Sequence, residues 1–229
     1  MSRSLGVDVV TGEGLAEALE GVETVIDASA YPLNEQGPAT EFFVASSRNL
    51  HQLGARAGVQ RLVVVSIIGI DRFSAGFLAA KKVHEQEVLK GQIPVRILRA
   101  AQFHEFVEPF LAWMGQENGV RRVPNMQTQL VAARTVAEAL VGLATETESA
   151  PAATNGVPFP EIAGPRAETL VDVARLVAAR NGESVRIEGV TDPADPDGDA
   201  YENGGLLPGP DATLAGPTYE EWLESEARK

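Results

Sequence analysis

The chain has 229 residues, a formal net charge of −13 and 44% hydrophobic residues. This length and composition suit one α/β domain with a real hydrophobic core, and they exclude collagen-like and wholly disordered chains. The absence of cysteine excludes disulfides, iron–sulfur clusters and thiol catalysis. The negative charge disfavours binding to nucleic acid and to anionic membranes, and no apolar run reaches membrane-spanning length. We therefore expect a cytoplasmic protein whose partner is a small molecule.

Short runs rich in Val and Ile recur along the chain, with helical segments between them. Runs of this kind without clean alternation are typical of strands buried on both faces of a parallel sheet. Because strands and helices alternate, the pattern predicts right-handed βαβ units and a doubly wound α/β fold. The strands are predicted at Val7–Val10, Val22–Ala28, Arg61–Ile68 and Val95–Arg99, and the helices between them at Gly14–Leu19, Ala39–Ala57 and Ala79–Leu89.

A smaller α/β part is predicted at the C-terminal end of the chain. The stretch Glu146–Pro160 is rich in Ala, Thr and Pro and marks the predicted boundary. We expect a main domain over residues 1–150 and a substrate-side part over residues 151–229. The later helices are predicted at Arg134–Leu143, Glu168–Ala179 and Thr218–Arg228, and a later strand at Val185–Val190.

A glycine-containing loop, Thr11-Gly12-Glu13-Gly14, follows the first predicted strand. Two glycines in this place match the start of a dinucleotide-binding fingerprint. The third glycine position is Glu17, however, and the charges of Glu13 and Glu17 oppose a pyrophosphate. We therefore interpret the loop as a tight turn followed by a short surface helix.

Five segments carry a more specific resemblance through their order and spacing. They are VETVIDAS at 22–29, RNLHQLGARAGV at 48–59, RLVVVSIIGID at 61–71, KKVHEQEV at 81–88 and PVRILRAAQF at 94–103. Together they resemble the atypical short-chain dehydrogenase/reductase family, in its NmrA-like, NAD(P)-binding branch. The resemblance is close over residues 3–145 and looser beyond.

This resemblance implies a Rossmann-like fold with NADP or NAD as the cofactor. It implies an NAD(P)-dependent oxidoreductase that acts on, or senses, a small organic substrate, and a homodimer as the expected assembly. Some NmrA-like proteins are non-catalytic NAD(P)H sensors or regulators, and this alternative stays open.

The resemblance also implies that a segment of the family pattern is missing. In the family, a first strand, a Gly-rich turn, a helix and a second strand form a unit of about 30 residues, and Ser2–Val10 matches the segment after that unit. We therefore expect an N-terminally truncated sheet and impaired cofactor binding. Two outcomes are open: the gene product is longer, or the sheet closes by direct pairing of Val7–Val10 with Val22–Ala28, which leaves little room for a dinucleotide.

The family's catalytic residues are a Ser, a Tyr and a Lys, with the Tyr four residues before the Lys. By resemblance, Lys81 and Ser66 are the candidate catalytic residues and also bind the cofactor. Phe77 stands at the Tyr position and has no proton to give, which favours the non-catalytic alternative. A plainer interpretation of Ser66 and Lys81, as a strand-end cap and a solvated helix residue, also stays open.

Three further residues are assigned to the cofactor by the resemblance. Arg3 matches the position that faces the adenosine 2′-phosphate in NADP-preferring members. Ser29 and Tyr31 belong to a loop that lies near the adenine and the nicotinamide ribose in the family.

The loop after the strand Val95–Arg99 is predicted to contact the substrate through Gln102, Phe103 and His104. Ligands bind outside the carboxyl ends of strands in doubly wound folds, and this loop lies there. A packed, hydrogen-bonded His104 is the alternative. His84 lies on a helix without partners at metal-ligand spacing, so no metal site is predicted.

Overall fold

The structure, a computed structural model, describes residues 6–32, 34–146 and 159–226. Within these ranges strands and helices alternate along the chain, as the apolar pattern predicts. The helices are α1 (Leu15–Ala18), α2 (Gln36–Ala57), α3 (Gly76–Leu89), α4 (His104–Met114), α5 (Ala133–Thr145), α6 (Leu170–Arg180), α7 (Gly198–Glu202) and α8 (Tyr219–Glu226). The strands are β1 (Thr24–Asp27), β2 (Arg61–Ile67), β3 (Val95–Ala100), β4 (Val120–Pro124), β5 (Gln127–Thr128), β6 (Glu161–Ala163), β7 (Glu168–Thr169), β8 (Arg186–Val190) and β9 (Thr213–Leu214).

A parallel sheet with the strand order β1-β2-β3-β6-β9 forms the centre of the fold. β1 pairs with β2 from Thr24 opposite Arg61 to Asp27 opposite Val64. The β3–β6 and β6–β9 pairs are also parallel. Two short ladders accompany this sheet, β4 with β8 in parallel and β5 with β7 antiparallel. The predicted α/β fold with a parallel sheet is confirmed.

The chain divides into two compact units, and each takes several stretches of sequence. The predicted single boundary, Glu146–Pro160, lies mostly outside the described residues. The first unit contains Met1–Ser66, Ser74–Leu98 and Glu138–Phe159, and the second contains Ile67–Phe73, Arg99–Ala137 and Pro160–Lys229.

Each unit has its own apolar core. Burying a Val, Leu or Ile side chain contributes about 1.5–3 kcal/mol, so these clusters supply the main driving force for folding. The first core contains Leu15, Val25, Leu50, Leu62, Val64 and Ile97, and the second contains Val107, Leu111, Leu170, Val173, Val177, Tyr219 and Leu223.

The helix α2 begins earlier than the sequence predicts, at Gln36 instead of Ala39. Pro38 is accommodated because it lies in the first turn, where a missing backbone N–H breaks no hydrogen bond. The helix ends as predicted at Gly58, whose φ of 88° is left-handed.

None of the helices in the described ranges is both long and apolar enough to cross a membrane.

The strand predicted at Val7–Val10 is wrong, because this segment forms turns. The Asp8 carboxylate accepts the Val10 N–H at 2.8 Å, and the Asp8 carbonyl accepts the Gly12 N–H at 2.8 Å. Asn49 of α2 donates its side-chain amide to two carbonyls of the segment, at 2.7 and 3.0 Å. These bonds engage backbone groups that strand pairing requires. Direct pairing with Val22–Ala28, one of the two outcomes that the sequence leaves open, therefore does not occur, and β1 is an edge strand of the described sheet.

The glycine loop is the predicted tight turn with a short helix behind it. Gly14 precedes α1 with a φ of 66°, and α1 has only 4 residues. A Cβ atom on Gly14 would overlap the carbonyl oxygen of Gly6. The glycine is therefore explained by a left-handed backbone and a close approach of two backbone segments.

We expect Gly14→Ala to lower the free energy of unfolding by about 3 kcal/mol, because it combines a strained φ with this overlap. Gly21→Ala is the matched control, since Gly21 has a φ of 71° but no atom within 4 Å of a Cβ. It is expected to lose only about 1–2 kcal/mol. Urea denaturation of both variants measures the difference, and equal losses would show that the contact with Gly6 does not constrain the turn.

Candidate active site

A cavity of about 630 Å³ lies in the first unit, along β1 and past its carboxyl end. Its volume is within the range of about 300–1,000 Å³ that is typical of small-molecule sites. Ligands of parallel α/β folds bind at the carboxyl ends of strands, which is where this cavity opens. We therefore take it as the candidate site. It is lined by residues 7–10 and 25–32 together with Phe42 and Leu50.

Two residues that the sequence assigns to the cofactor, Ser29 and Tyr31, line this cavity. The Tyr31 ring packs against Phe42 with 5.9 Å between ring centroids. The Oγ atom of Ser29 is buried and has no hydrogen-bond partner within the described residues. A third predicted contact, Arg3, lies outside the described residues.

The described lining offers carboxylates but no cations. Asp8 and Asp27 line it, whereas none of its described residues is a Lys or an Arg. Such a wall offers acceptors to hydroxyl and amide donors and no cationic partner to a phosphate group. The nucleoside end of a nucleotide therefore matches this lining better than a pyrophosphate does.

Asp27 also belongs to a buried network with Lys81 and His84 of α3. The Lys81 ammonium donates to the Val65 carbonyl at 2.9 Å and to Nδ1 of His84 at 2.9 Å. Nε2 of His84 lies 3.3 Å from Oδ2 of Asp27. The exposed fractions of Lys81, His84 and Asp27 are 3%, 0% and 6%. Among the described residues, no group of three or more His, Asp or Glu side chains is placed to hold a metal ion.

The Phe43 ring of α2 covers this network. It stacks on the His84 ring with 4.5 Å between centroids and 17° between planes. The Nζ atom of Lys81 lies 4.8 Å from the Phe43 ring centroid, within the range of a cation–π interaction. The Phe77 ring lies 5.8 Å from the Phe43 ring, measured between centroids.

Burial and mutual charge shift the pKa values of the network. Burial lowers the pKa of Lys81 to about 8, against the opposing effect of the Asp27 and Glu85 carboxylates. Burial also lowers the pKa of His84, and the Lys81 charge adds to this shift, while the nearby Asp27 carboxylate opposes it. Burial alone would raise the pKa of Asp27, but the adjacent His84 ring and the backbone N–H of Ser29, which donates to Oδ1, hold it well below its ordinary value. At neutral pH the network therefore contains an ammonium, a neutral imidazole and a carboxylate.

The two predicted catalytic residues lie near each other in the chain's interior. Lys81 reaches the carbonyl of Val65, the residue before Ser66. Ser66 is 2% exposed, and its Oγ has no hydrogen bond within the described residues. Lys81 is buried, so its interpretation as a solvated helix residue is wrong. The catalytic roles of Ser66 and Lys81 stay predictions.

The predicted substrate residues belong to the second unit. Gln102 accepts a hydrogen bond from Thr128 at 2.6 Å, and Phe103 forms a single bridge with Val131. His104 begins α4 and is fully buried. Its ring lies 5.4 Å from the rings of both Tyr219 and Trp222, at the end of the chain. His104 is thus packed, as the alternative interpretation expects, although neither ring nitrogen has a hydrogen-bond partner within the described residues. Contact of these three residues with a substrate stays a prediction.

Sequence reasoning missed Asp27, His84 and Phe43 as a connected group. One signal was present in the chain: Asp27 is a charged residue that ends an apolar strand, an unusual position for an unpaired carboxylate. A second was the spacing of Lys81 and His84, which places them on one helix face.

Comparison with known proteins gives no match to a family model and none to a curated protein. Solved structures do match. An NADPH-dependent quinone oxidoreductase from Escherichia coli is 19% identical with a TM-score of 0.63, covering 93% of this chain and 78% of its own. A triphenylmethane reductase of Citrobacter sp., complexed with NADP(H), is 16% identical with a TM-score of 0.61, covering 92% and 79%.

The chain has a Rossmann-like fold. A nucleoside-diphosphate-sugar epimerase from Staphylococcus aureus supports the same conclusion, with 13% identity, a TM-score of 0.64 and coverage of 95% of this chain and 82% of its own. Identities at this level show the fold alone. They confirm the Rossmann-like α/β architecture with a parallel sheet that the sequence predicts.

Proposed function

We propose that the chain is an NAD(P)-binding, oxidoreductase-like protein that acts on or senses a small organic substrate. The observation that carries this proposal is the cavity at the carboxyl end of β1, lined by Ser29 and Tyr31. Similar solved structures are NADPH-dependent or complexed with NADP(H), which supports the same cofactor class here. NADP or NAD is the proposed cofactor and a homodimer the proposed assembly.

The residues of the cavity fit one part of this cofactor and not another. The unpartnered hydroxyl of Ser29 and the ring of Tyr31 suit the hydroxyls and flat rings of a nucleoside. The acidic lining, with no Lys or Arg among its described residues, does not suit the pyrophosphate. A bound nicotinamide would supply or accept a hydride. We propose that this chain binds the cofactor weakly, and we assign no catalytic step to it.

A second candidate function, non-catalytic sensing of NAD(P)H, is favoured by two observations. Phe77 lacks the phenolic proton that the family's Tyr gives. The Lys81 ammonium is buried and already donates to Val65 and His84. Both features reduce the means of proton transfer at the site while leaving the cavity available for binding.

Titration with NADPH, followed by amide NMR, tests the proposed function. We expect resonances of residues 28–31 to shift at millimolar NADPH, and Tyr31→Ala to remove the shifts. Trp113→Ala is the matched control, since Trp113 is an aromatic residue that is 77% exposed on α4. Unshifted resonances of residues 28–31 would contradict the proposal.

The substitution Phe77→Tyr tests whether the chain retains the family's catalytic geometry. If the protein is an oxidoreductase of the usual mechanism, the new phenol should raise turnover of a carbonyl or quinone substrate by about 10²–10⁴-fold, the usual contribution of a general acid. Phe42→Tyr is the control, because it adds the same hydroxyl at the cavity wall but not four residues before Lys81. Steady-state kinetics with NADPH measures both, and equal rates would favour the sensing function.

A further inference from the structure

The hydrogen-bond chemistry of the Lys81 network fixes the state of His84. An ammonium can only donate, so Nδ1 of His84, 2.9 Å from Lys81 Nζ, must be an acceptor. A neutral imidazole that accepts at Nδ1 carries its proton on Nε2. Nε2 lies 3.3 Å from Oδ2 of Asp27, a close electrostatic contact that falls short of hydrogen-bond geometry. The ring therefore connects an ammonium to a carboxylate without carrying charge itself.

The charges around Lys81 come from the elements packed on it. β1 contributes the carboxylate of Asp27, and α3 itself contributes His84 and Glu85. β2 contributes the carbonyl of Val65, and α2 contributes the ring of Phe43. Since an isolated buried ammonium loses its proton readily, the nearby carboxylates are what allow Lys81 to stay charged in the interior.

We propose that Asp27 and His84 are positioning residues for Lys81. Asp27 supplies the counter-charge, and His84, as the Nε2–H tautomer, joins the two and directs the ammonium toward the end of β2. The three residues act as one unit, so that the charge and direction of Lys81 are set from the strand that borders the cavity. The inference deepens the proposed function and rests on it in one respect, because Lys81 is the lysine that the family resemblance assigns to the cofactor.

Nuclear magnetic resonance tests this inference without any cofactor, so its failure is separate from failure of the proposed function. The chain has four lysines, Lys81, Lys82, Lys90 and Lys229, and three histidines, His51, His84 and His104, so every side chain can be assigned. We expect Lys81 to titrate below the other lysines. Asp27→Asn should lower the pKa of Lys81 by about one unit or more. The control Glu23→Gln, which removes an exposed carboxylate just before β1, should leave it unchanged.

Two variants of His84 separate positioning from mere packing. His84→Gln keeps an acceptor and a donor and should preserve the pKa of Lys81, whereas His84→Leu removes both and should lower it. Nitrogen-15 spectra of the unsubstituted protein should show His84 as the neutral Nε2–H tautomer at pH 7. A protonated ring, the Nδ1–H tautomer, or an unchanged Lys81 pKa in folded Asp27→Asn would overturn the proposal. If the variants do not fold, the tautomer of His84 in the unsubstituted protein alone tests the proposal.

Discussion

Replacing Lys81 by methionine is expected to lower the free energy of unfolding by about 3–5 kcal/mol, although the new side chain is apolar and similar in length. The substitution leaves the buried carboxylate of Asp27 without its counter-charge, which is far more costly than losing a surface pair. It also leaves the Val65 carbonyl and Nδ1 of His84 without the Lys81 donor. Lys90→Met is the matched control, because Lys90 pairs with Glu87 at an exposed position of the same helical region. It should cost less than about 1 kcal/mol.

The double variant Asp27→Asn with Lys81→Met distinguishes a coupled pair from two independent losses. Removing both charges leaves no uncompensated ion, so the double variant should be more stable than the sum of the single losses predicts, by about 2 kcal/mol. Urea denaturation of the four proteins in the cycle gives this coupling energy. Strict additivity would show that Asp27 and Lys81 do not interact across His84.

The same network gives stability a defined pH dependence. The folded pKa of Lys81, about 8, lies below the ordinary value of 10.5, so the unfolded chain binds more protons between these pH values. Stability contributed by this group therefore rises as the pH increases from about 8 to 10.5, and Lys81→Met should lack this rise. Asp27 acts in the same direction at lower pH: its lowered pKa contributes stability that is present above its ordinary value of 3.8 and is lost on acidification.

A designed N-terminal extension that adds a strand to the free edge of β1 is expected to increase both heat resistance and NADPH affinity. Ile26 of β1 is 40% exposed, and the cavity runs along this edge. The added strand is expected to occupy the part of the cavity beside β1, which has 4 residues, and to leave the part past its carboxyl end, with Ser29 and Tyr31, open to the cofactor.

Varying the turn residues of the extension separates its effect on stability from its effect on cofactor binding. A strand followed by a glycine-rich turn and a helix presents backbone N–H groups to a pyrophosphate, and two such charge-assisted bonds give about 100-fold in affinity. A control extension with Asp in place of the turn glycines should keep the higher melting temperature and lose the affinity gain. An extended protein with an unchanged melting temperature would show that the β1 edge does not accept a strand.

Much of the fold could be predicted from local sequence, because it rests on short-range patterns. β2 and α2 follow from an apolar run and from Gly58, with bounds within a few residues of the predicted ones. Val7–Val10 could not be predicted as a turn, since its β-branched residues favour a strand. Its conformation is instead set by the Asp8 side chain and by Asn49, a partner from a distant helix.

The candidate site was only partly predictable, for a related reason. Ser29 and Tyr31 follow a strand, so position in the chain was enough to place them at a carboxyl end. The burial of Lys81 depends on Asp27 from another element, and helix spacing carries no information about such contacts. The sequence therefore allows Lys81 to be either a solvated helix residue or a site residue, whereas the structure shows that it is buried.

Calorimetric titration with NADPH and with adenosine tests the central claim most directly, namely that this site fits a nucleoside and does not hold a pyrophosphate. Both ligands are expected to bind weakly, with dissociation constants above about 100 μM, and NADPH is expected to bind no more than about tenfold more tightly than adenosine. Binding of NADPH at micromolar concentrations or below, with adenosine far weaker, would show that the phosphates are held and would contradict the account.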